Sequence, residues 1–186
     1  PRLNQLTWPN YAHKYYVDGT PVAADAQLSS SSCTPSSDAT KCWRTIVTGG
    51  LNSGGQGVYA LNVTDPSTFA SGSAKSLVLW EFNDRDDPDL GYTFAQPIVR
   101  KMNNGKWAVI FGNGYNNTDS DGRVSTTGDA YLYIVYVDGP GYDGTGRGQS
   151  WTLGTNYHKI QLPAPNAGAA PLSPANGLST VFGVDK

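Results

Sequence analysis

Apolar residues alternate with polar ones over short runs in this chain, and the runs are cut by Gly, Asn, Asp and Pro. No window of a dozen residues carries an apolar stripe at i, i+3, i+4 and i+7, so the pattern predicts strands and few helices. Strands are expected at Pro21–Ala26, Trp43–Thr48, Val58–Val63, Leu77–Phe82, Pro97–Lys101, Trp107–Phe111 and Tyr131–Val137. Asp18-Gly19, Gly49-Gly50, Gly54-Gly55, Asp65-Pro66, Asn113-Gly114 and Asp138-Gly139 separate them with residues that suit turns. Asn104-Gly105 is the best signal for a two-residue hairpin.

The order of these pieces repeats. Thr20-Pro21-Val22 leads to Trp43–Gly50 and then to Val58–Asp65, and Gln96-Pro97-Ile98 leads likewise to Trp107–Gly114 and Tyr131–Asp138. The paired prolines, tryptophans and closing aspartates stand about 64 to 76 positions apart, and a third copy opens near Gly177–Val181. A recurring unit of three strands and an outer strand such as Leu77–Phe82 predicts β-propeller blades. A closed ring takes about four to eight blades, whereas two units and a beginning are present. The expected architecture is therefore all-β, a partial propeller of about two blades plus the start of a third, at about 15–82, 91–160 and 176–186.

Composition fits a turn-rich chain: 22 Gly and 12 Pro in 186 residues, with 15% charged residues against about 25% in an ordinary domain. The net charge of −2 lacks the basic footprint of a nucleic-acid binder. The longest apolar run, Tyr131–Val137, is far short of the roughly 18 residues of a membrane helix. The chain opens on Pro1 without a signal-peptide pattern, so its start reads as a cut inside a longer protein. Cys33 and Cys42 are spaced to close a small surface loop by a disulfide. Two unpaired thiols in a cytosolic protein is the alternative, and the low Lys and Glu content with 11 Tyr favours an exported chain.

The candidate chemistry is sparse. Asn83–Asp89 places Asp84, Asp86, Asp87 and Asp89 in one turn; such crowding calls for a cation or for full exposure, and a solvated turn is the favoured reading. Asn113–Gly122 ends with Asp119 and Asp121 in an Asp-x-Asp-Gly step, the opening of a calcium loop that lacks its distant acidic ligand. His13 and His158 are the only near-neutral bases, neither flanks a nucleophile elbow, and His13 reads as a packed residue bonded to a neighbouring loop. Gly49–Gly57 is followed by a strand and by no Lys-Ser/Thr, so it reads as a hairpin loop and not as a phosphate cradle. Trp43, Trp80 and Trp107 stand at blade positions expected to be buried. No catalytic and no cofactor-binding residues are assigned.

Several words occur together and in order: Tyr15–Val22, Trp43-Arg44-Thr45, Gly57–Pro66, Leu79–Phe82, Asp89–Phe94 and Gly105–Tyr115. They resemble the C-terminal propeller of the type IV pilus tip adhesins of the PilC/PilY family, densely through about Val137. The resemblance implies a modified, quinoprotein-like propeller in a large exported protein at the pilus tip. There the family primes assembly, opposes retraction and binds host surfaces. It further implies a calcium ion in an Asp-rich loop whose first ligand would be Asp185, the others lying beyond Lys186, and an N-terminal module resembling a von Willebrand A domain that is not in this sequence. Expected partners are minor pilins or other tip components, the rest of the propeller and a host receptor, with long loops such as 33–42 and 113–129 as contact surfaces. A quinoprotein-dehydrogenase-like propeller and a carbohydrate-binding propeller are the alternatives.

Overall fold

The computed structural model describes residues 3–29, 42–70, 77–118, 123–140, 150–162 and 177–183. Eight strands form two four-stranded antiparallel sheets. The first contains β1 (Val22–Gln27), β2 (Trp43–Gly50), β3 (Gly57–Asn62) and β4 (Val78–Asn83); the second contains β5 (Ile98–Lys101), β6 (Trp107–Gly112), β7 (Tyr131–Tyr136) and β8 (Tyr157–Gln161). Each sheet is a meander in which every strand pairs with the next. Three short 3-10 turns lie at Leu3–Thr7, Asn52–Gly54 and Pro66–Thr68. All seven strands expected from the alternation are present; β8 is the one the pattern missed.

Side chains of a strand alternate between faces, and in β7 Tyr131, Tyr133 and Val135 are buried while Leu132 and Ile134 are half-buried. The buried face of the second sheet (Val109, Phe111, Tyr133, Val135, Tyr157) and one face of the first (Ile46, Val58, Ala60, Trp80, Phe82) belong to a single apolar cluster. Phe82 is its centre. The ring is fully buried and meets Phe111, Tyr133, Trp151 and Tyr157 at centroid separations of 5.0–6.4 Å. Burying such a ring contributes roughly 1.5–3 kcal/mol, and each edge-on aromatic pair adds about 0.5–1.5 kcal/mol. Trp80 crosses the same boundary, donating Nε1–H to the Val137 carbonyl at 2.9 Å.

The segment between the sheets docks on the end of β2. The Thr93 carbonyl accepts from Asn52 N, and the Thr93 hydroxyl both accepts from Leu51 N at 2.9 Å and donates to Gly57 O at 2.6 Å. A Cβ on Gly50 would collide with the Thr93 carbonyl, so only glycine admits this approach. The second sheet repeats the device. A Cβ on Gly112 would meet the Leu178 carbonyl, which accepts from Gly114 N at 3.0 Å.

That repeat, together with the pairings Val22↔Thr48 and Ile98↔Ile110, equates Gly50 with Gly112 and hence Thr45 with Trp107. The tryptophan match read from the sequence is therefore two positions out of register. The β1–β2 ladder runs on to Gln27↔Trp43, whereas β5–β6 ends at Lys101↔Trp107. The last two positions of the longer ladder carry Trp43 past the covered core, where it is 43% exposed and meets the half-buried Trp107 edge-on at 5.5 Å. Trp80 is buried as expected; Trp43 is not.

The Asn104-Gly105 turn also differs from its expected two-residue form. Met102 N donates to Lys106 O and Gly105 N to Met102 O, leaving three residues in the loop with Gly105 at φ +82°. The left-handed glycine closes the wider turn.

Candidate functional site

The acidic turn after β4 is neither solvated nor arranged around a metal ion. Asp87 is 2% and Asp89 8% exposed, because the turn lies under the second sheet. Lys159, on β8 directly opposite Tyr133, places its ammonium 2.8 Å from Asp87 Oδ1 and 2.6 Å from Asp89 Oδ2. The remaining oxygens are also held. Tyr157 donates its hydroxyl to Asp87 Oδ2 at 2.9 Å, Ser125 donates to Asp89 Oδ1, and Asp89 N donates to Asp87 Oδ1. The Tyr133 hydroxyl is fully buried beside Asp87 without a hydrogen bond of normal geometry.

The two outer aspartates serve the backbone. Asp86 Oδ2 accepts from Asn83 N at 2.9 Å and Asp84 Oδ2 from Arg123 N at 2.6 Å. The bond from Asn83 N is of the kind expected for a solvated turn, whereas that from Arg123 N, 39 positions away, ties the turn to the segment before β7. Asp87 and Asp89 correct the reading further, since crowded carboxylates can be buried once a cation stands between them, and here the cation is a lysine.

Ionisation follows from the burial. Burial disfavours the Lys159 ammonium, yet its bonds to Asp87 and Asp89 outweigh that and hold its pKa above the ordinary 10.5. Burial first, and then the negative charge of Asp87, push the Tyr133 and Tyr157 hydroxyls well above their ordinary 10.0. Asp86 is raised by burial, and by the nearby Asp84 and Glu81 charges, against the lowering bond from Asn83.

Two buried asparagines fasten this turn to the second sheet. Asn113 Nδ2 donates to the Asp89 and Asp129 carbonyls, both at 3.0 Å, while its Oδ1 accepts from Tyr131 N and Leu178 N. Asn117 Nδ2 reaches the same two carbonyls. Asn113 thus joins the turn after β4, the start of β7 and the segment that docks on β6.

Other expected positions behave differently. His13 is exposed, its ring edge-on to Tyr15 at 4.7 Å and to Tyr11 at 6.4 Å, in place of the expected packed residue. An aromatic stretch that runs along the surface stacks on itself when no sheet covers it. Gly49–Gly57 takes in the end of β2, the connection at 51–56 and the first residue of β3, as a hairpin requires. Asp119, Asp121, Asp185 and Cys33 lie outside the described residues. Cys42 is buried and is not a free thiol. Among the described residues no group of three or more His, Cys, Asp or Glu is arranged to hold a metal ion, and the acidic turn does not fit calcium because Lys159 takes its inward oxygens. A recess of about 140 Å³ between Thr20, Gly50, Asn52, Phe94 and Gln96 is smaller than the roughly 300–1,000 Å³ of small-molecule pockets. No helix among the described residues is long and apolar enough to cross a membrane.

Two like sheets, packed face to face and joined by a segment that repeats its docking contacts, are what a propeller requires. The sequence profile described as "PilY1 beta-propeller domain" matches residues 2–141. The chain belongs to the PilY1 β-propeller family. A type IV pilus biogenesis factor PilY1 homolog of Xylella fastidiosa (strain Temecula1) is 44% identical over 133 residues, 72% of this chain and 8% of that protein. The type IV pilus biogenesis factor PilY1 of Pseudomonas aeruginosa (strain PAO1) is 42% identical over 119 residues, 62% of this chain and 9% of that protein. The crystal structure of the P. aeruginosa PilY1 C-terminal domain superposes with a TM-score of 0.56 at 34% identity, covering 89% of this chain and 24% of that one. The chain spans less than a tenth of the curated PilY1 relatives' length, and its two sheets are blades of a β-propeller.

Lys159, Tyr157 and Ser125 were not singled out by sequence reasoning. The signal available was a lone lysine in a mixed segment following an acidic turn, with some 70 residues between the partners. Neither strand periodicity nor motif spacing links positions so far apart.

Proposed function

We propose that this chain is a segment of a type IV pilus biogenesis factor that acts at the cell surface by binding and not by catalysis. Two blades and the opening of a third provide a rigid frame, and the loops between strands provide contact surfaces for tip components, minor pilins or a host receptor. In this reading Cys33 and Cys42 close the loop between β1 and β2 by a disulfide. Calcium, where bound, is held in the longer protein by a loop beginning at Asp185, with Asp119 and Asp121 as a second, weaker position.

The observation that supports a frame continuing beyond two blades is the open face of the second one. The structural register places Ile160 where the first blade has Phe82, Ile134 where it has Ala60, and Ile110 where it has Thr48. The first-blade residues are buried against the second blade. Ile160 is 50% exposed, and Ile110, Leu132 and Ile134 are half-buried. A row of aliphatic side chains on a sheet face calls for a covering layer. Residues 177–183 already lead toward that face, with Gly183 beside the Ile98 side chain.

The test is complementation. In a piliated bacterium lacking the corresponding gene, the full-length protein is expected to restore surface pili, and the same protein carrying Ile134→Asp and Ile160→Asp to restore few or none. Wild-type pilus numbers with both substitutions would contradict the reading. Calorimetric titration of the full-length protein with calcium, with and without Asp185→Ala, checks the ligand assignment.

A further inference from the structure

The Lys159 cluster contains more than an ion pair needs. We propose that Lys159 and Asp87 are joined by a covalent isopeptide bond, formed by the protein itself with Asp89 as the proton-transferring group. The nucleophile, Nζ, lies 2.8 Å from the oxygen of a carboxyl group that is almost wholly buried. A second carboxylate, Asp89, lies 2.6 Å from the same nitrogen and is fixed by Ser125. The Tyr157 hydroxyl, 2.9 Å from Asp87 Oδ2, is placed to stabilise negative charge on that oxygen as Nζ adds to Cγ. The buried Tyr133 hydroxyl beside Asp87, without a partner of its own, is a second donor for the same charge. The rings of Phe82, Tyr131, Tyr133 and Tyr157 wall the cluster.

The step balances without any added reactant. Lys159 begins as an ammonium, and one of its protons passes to Asp89. The amine adds to Asp87 Cγ, and Tyr157 supports the developing charge on Oδ2. A second nitrogen proton and the proton held by Asp89 are delivered to Oδ1, which leaves as water. The products are a secondary amide between Nζ and Cγ, one water, and Asp89 again ionised. The starting ion pair opposes this reaction, since the amine must first give up a proton that two carboxylates hold. Fixed proximity offsets it: well-oriented intramolecular partners reach effective molarities of about 10⁵–10⁸ M, and the apolar walls favour products that keep one charge, on Asp89, over reactants that carry three.

The bond would connect the turn after β4 to β8, residues 72 positions apart, and so staple the two blades across their interface. Such a staple suits a protein loaded along its length, but its test does not depend on the function proposed above. Full-length protein from its own cells is digested with trypsin and analysed by mass spectrometry. If the bond is present, the linear peptide 86–100 is absent, cleavage after Lys159 fails, and a branched peptide appears whose mass is the sum of its two arms less one water. Asp89→Asn in the same protein, folded as judged by circular dichroism, is expected to restore the separate arms. Recovery of unlinked 86–100 and of a peptide ending at Lys159 from folded wild-type protein would overturn the proposal. Linkage persisting in Asp89→Asn would overturn the role given to Asp89.

Discussion

The two blades carry the same strand order and unlike faces. Where the first presents Phe82, Trp80 and Ala60, all buried, the second presents Ile160, His158 and Ile134, all at least partly exposed. Conversely, the second blade's large aromatics, Phe111, Tyr133 and Tyr157, lie on the face that receives the first, where the first blade's own equivalents are Gly49, Tyr59 and Val78. Burial here is decided by which neighbour is present and not by the alternation, since both blades alternate equally well. The interface is asymmetric in chemistry as well: one side inserts Phe82, and the other supplies the aromatic socket and the lysine that neutralises the turn following β4.

The sharpest way to break this comparison is at the lysine. Measured against protein that is not cross-linked, Lys159→Met leaves Asp87 and Asp89 buried without a cation, and unpairing a buried ion pair costs about 3–5 kcal/mol; denaturant unfolding of the variant measures the loss. The double variant Lys159→Met with Asp87→Leu should recover much of it. Phe82→Ala is expected to cost a similar 3–5 kcal/mol or so from the cavity it leaves. Ile160→Ala, at the equivalent position, should cost under about 0.5 kcal/mol in the 186-residue chain, as surface changes do. Equal losses at the two positions would mean that the second blade's open face is already covered.

Next in size come the docking glycines. Gly50→Ala and Gly112→Ala force a Cβ against a carbonyl oxygen of the docked segment, an overpacking that costs on the order of 1–3 kcal/mol. The first should be the larger, because Thr93 makes two further hydroxyl bonds at that place and Leu178 has none to make.

These positions also show what was legible beforehand. Seven strands, the repeat and the family words could be read because each is local, resting on alternation and on residues within one blade. β8 was missed because Tyr157-His158-Lys159-Ile160-Gln161 divides its polar and apolar residues between two faces of unlike chemistry, one meeting the acidic turn and the other open. The acidic turn itself looked solvated because its counter-charge lies 70 positions away. Trp43 looked like core because its likeness to Trp107 is real in sequence and out of register in the ladders.

The smallest predicted effect is a pH dependence at the alkaline end. Tyr131, Tyr133 and Tyr157 all have folded pKa values above the ordinary 10.0 of tyrosine. Their protonated forms are favoured by folding, so the stability they contribute is complete below pH 10 and is lost as the pH rises through the raised folded values. Thermal melting should hold level up to about pH 10 and fall steeply above it, with a shallower fall in Tyr157→Phe.

The measurement closest to the central claim, that these sheets are consecutive blades of a ring that continues over the second, is thiol labelling in the full-length protein. Ile160→Cys and Leu153→Cys are compared, both residues being about half exposed in the structure described here. A third blade over the aliphatic face predicts that the cysteine at 160 reacts slowly and the one at 153 rapidly, with the difference disappearing on denaturation. Equal and rapid labelling of both in the folded protein would contradict it.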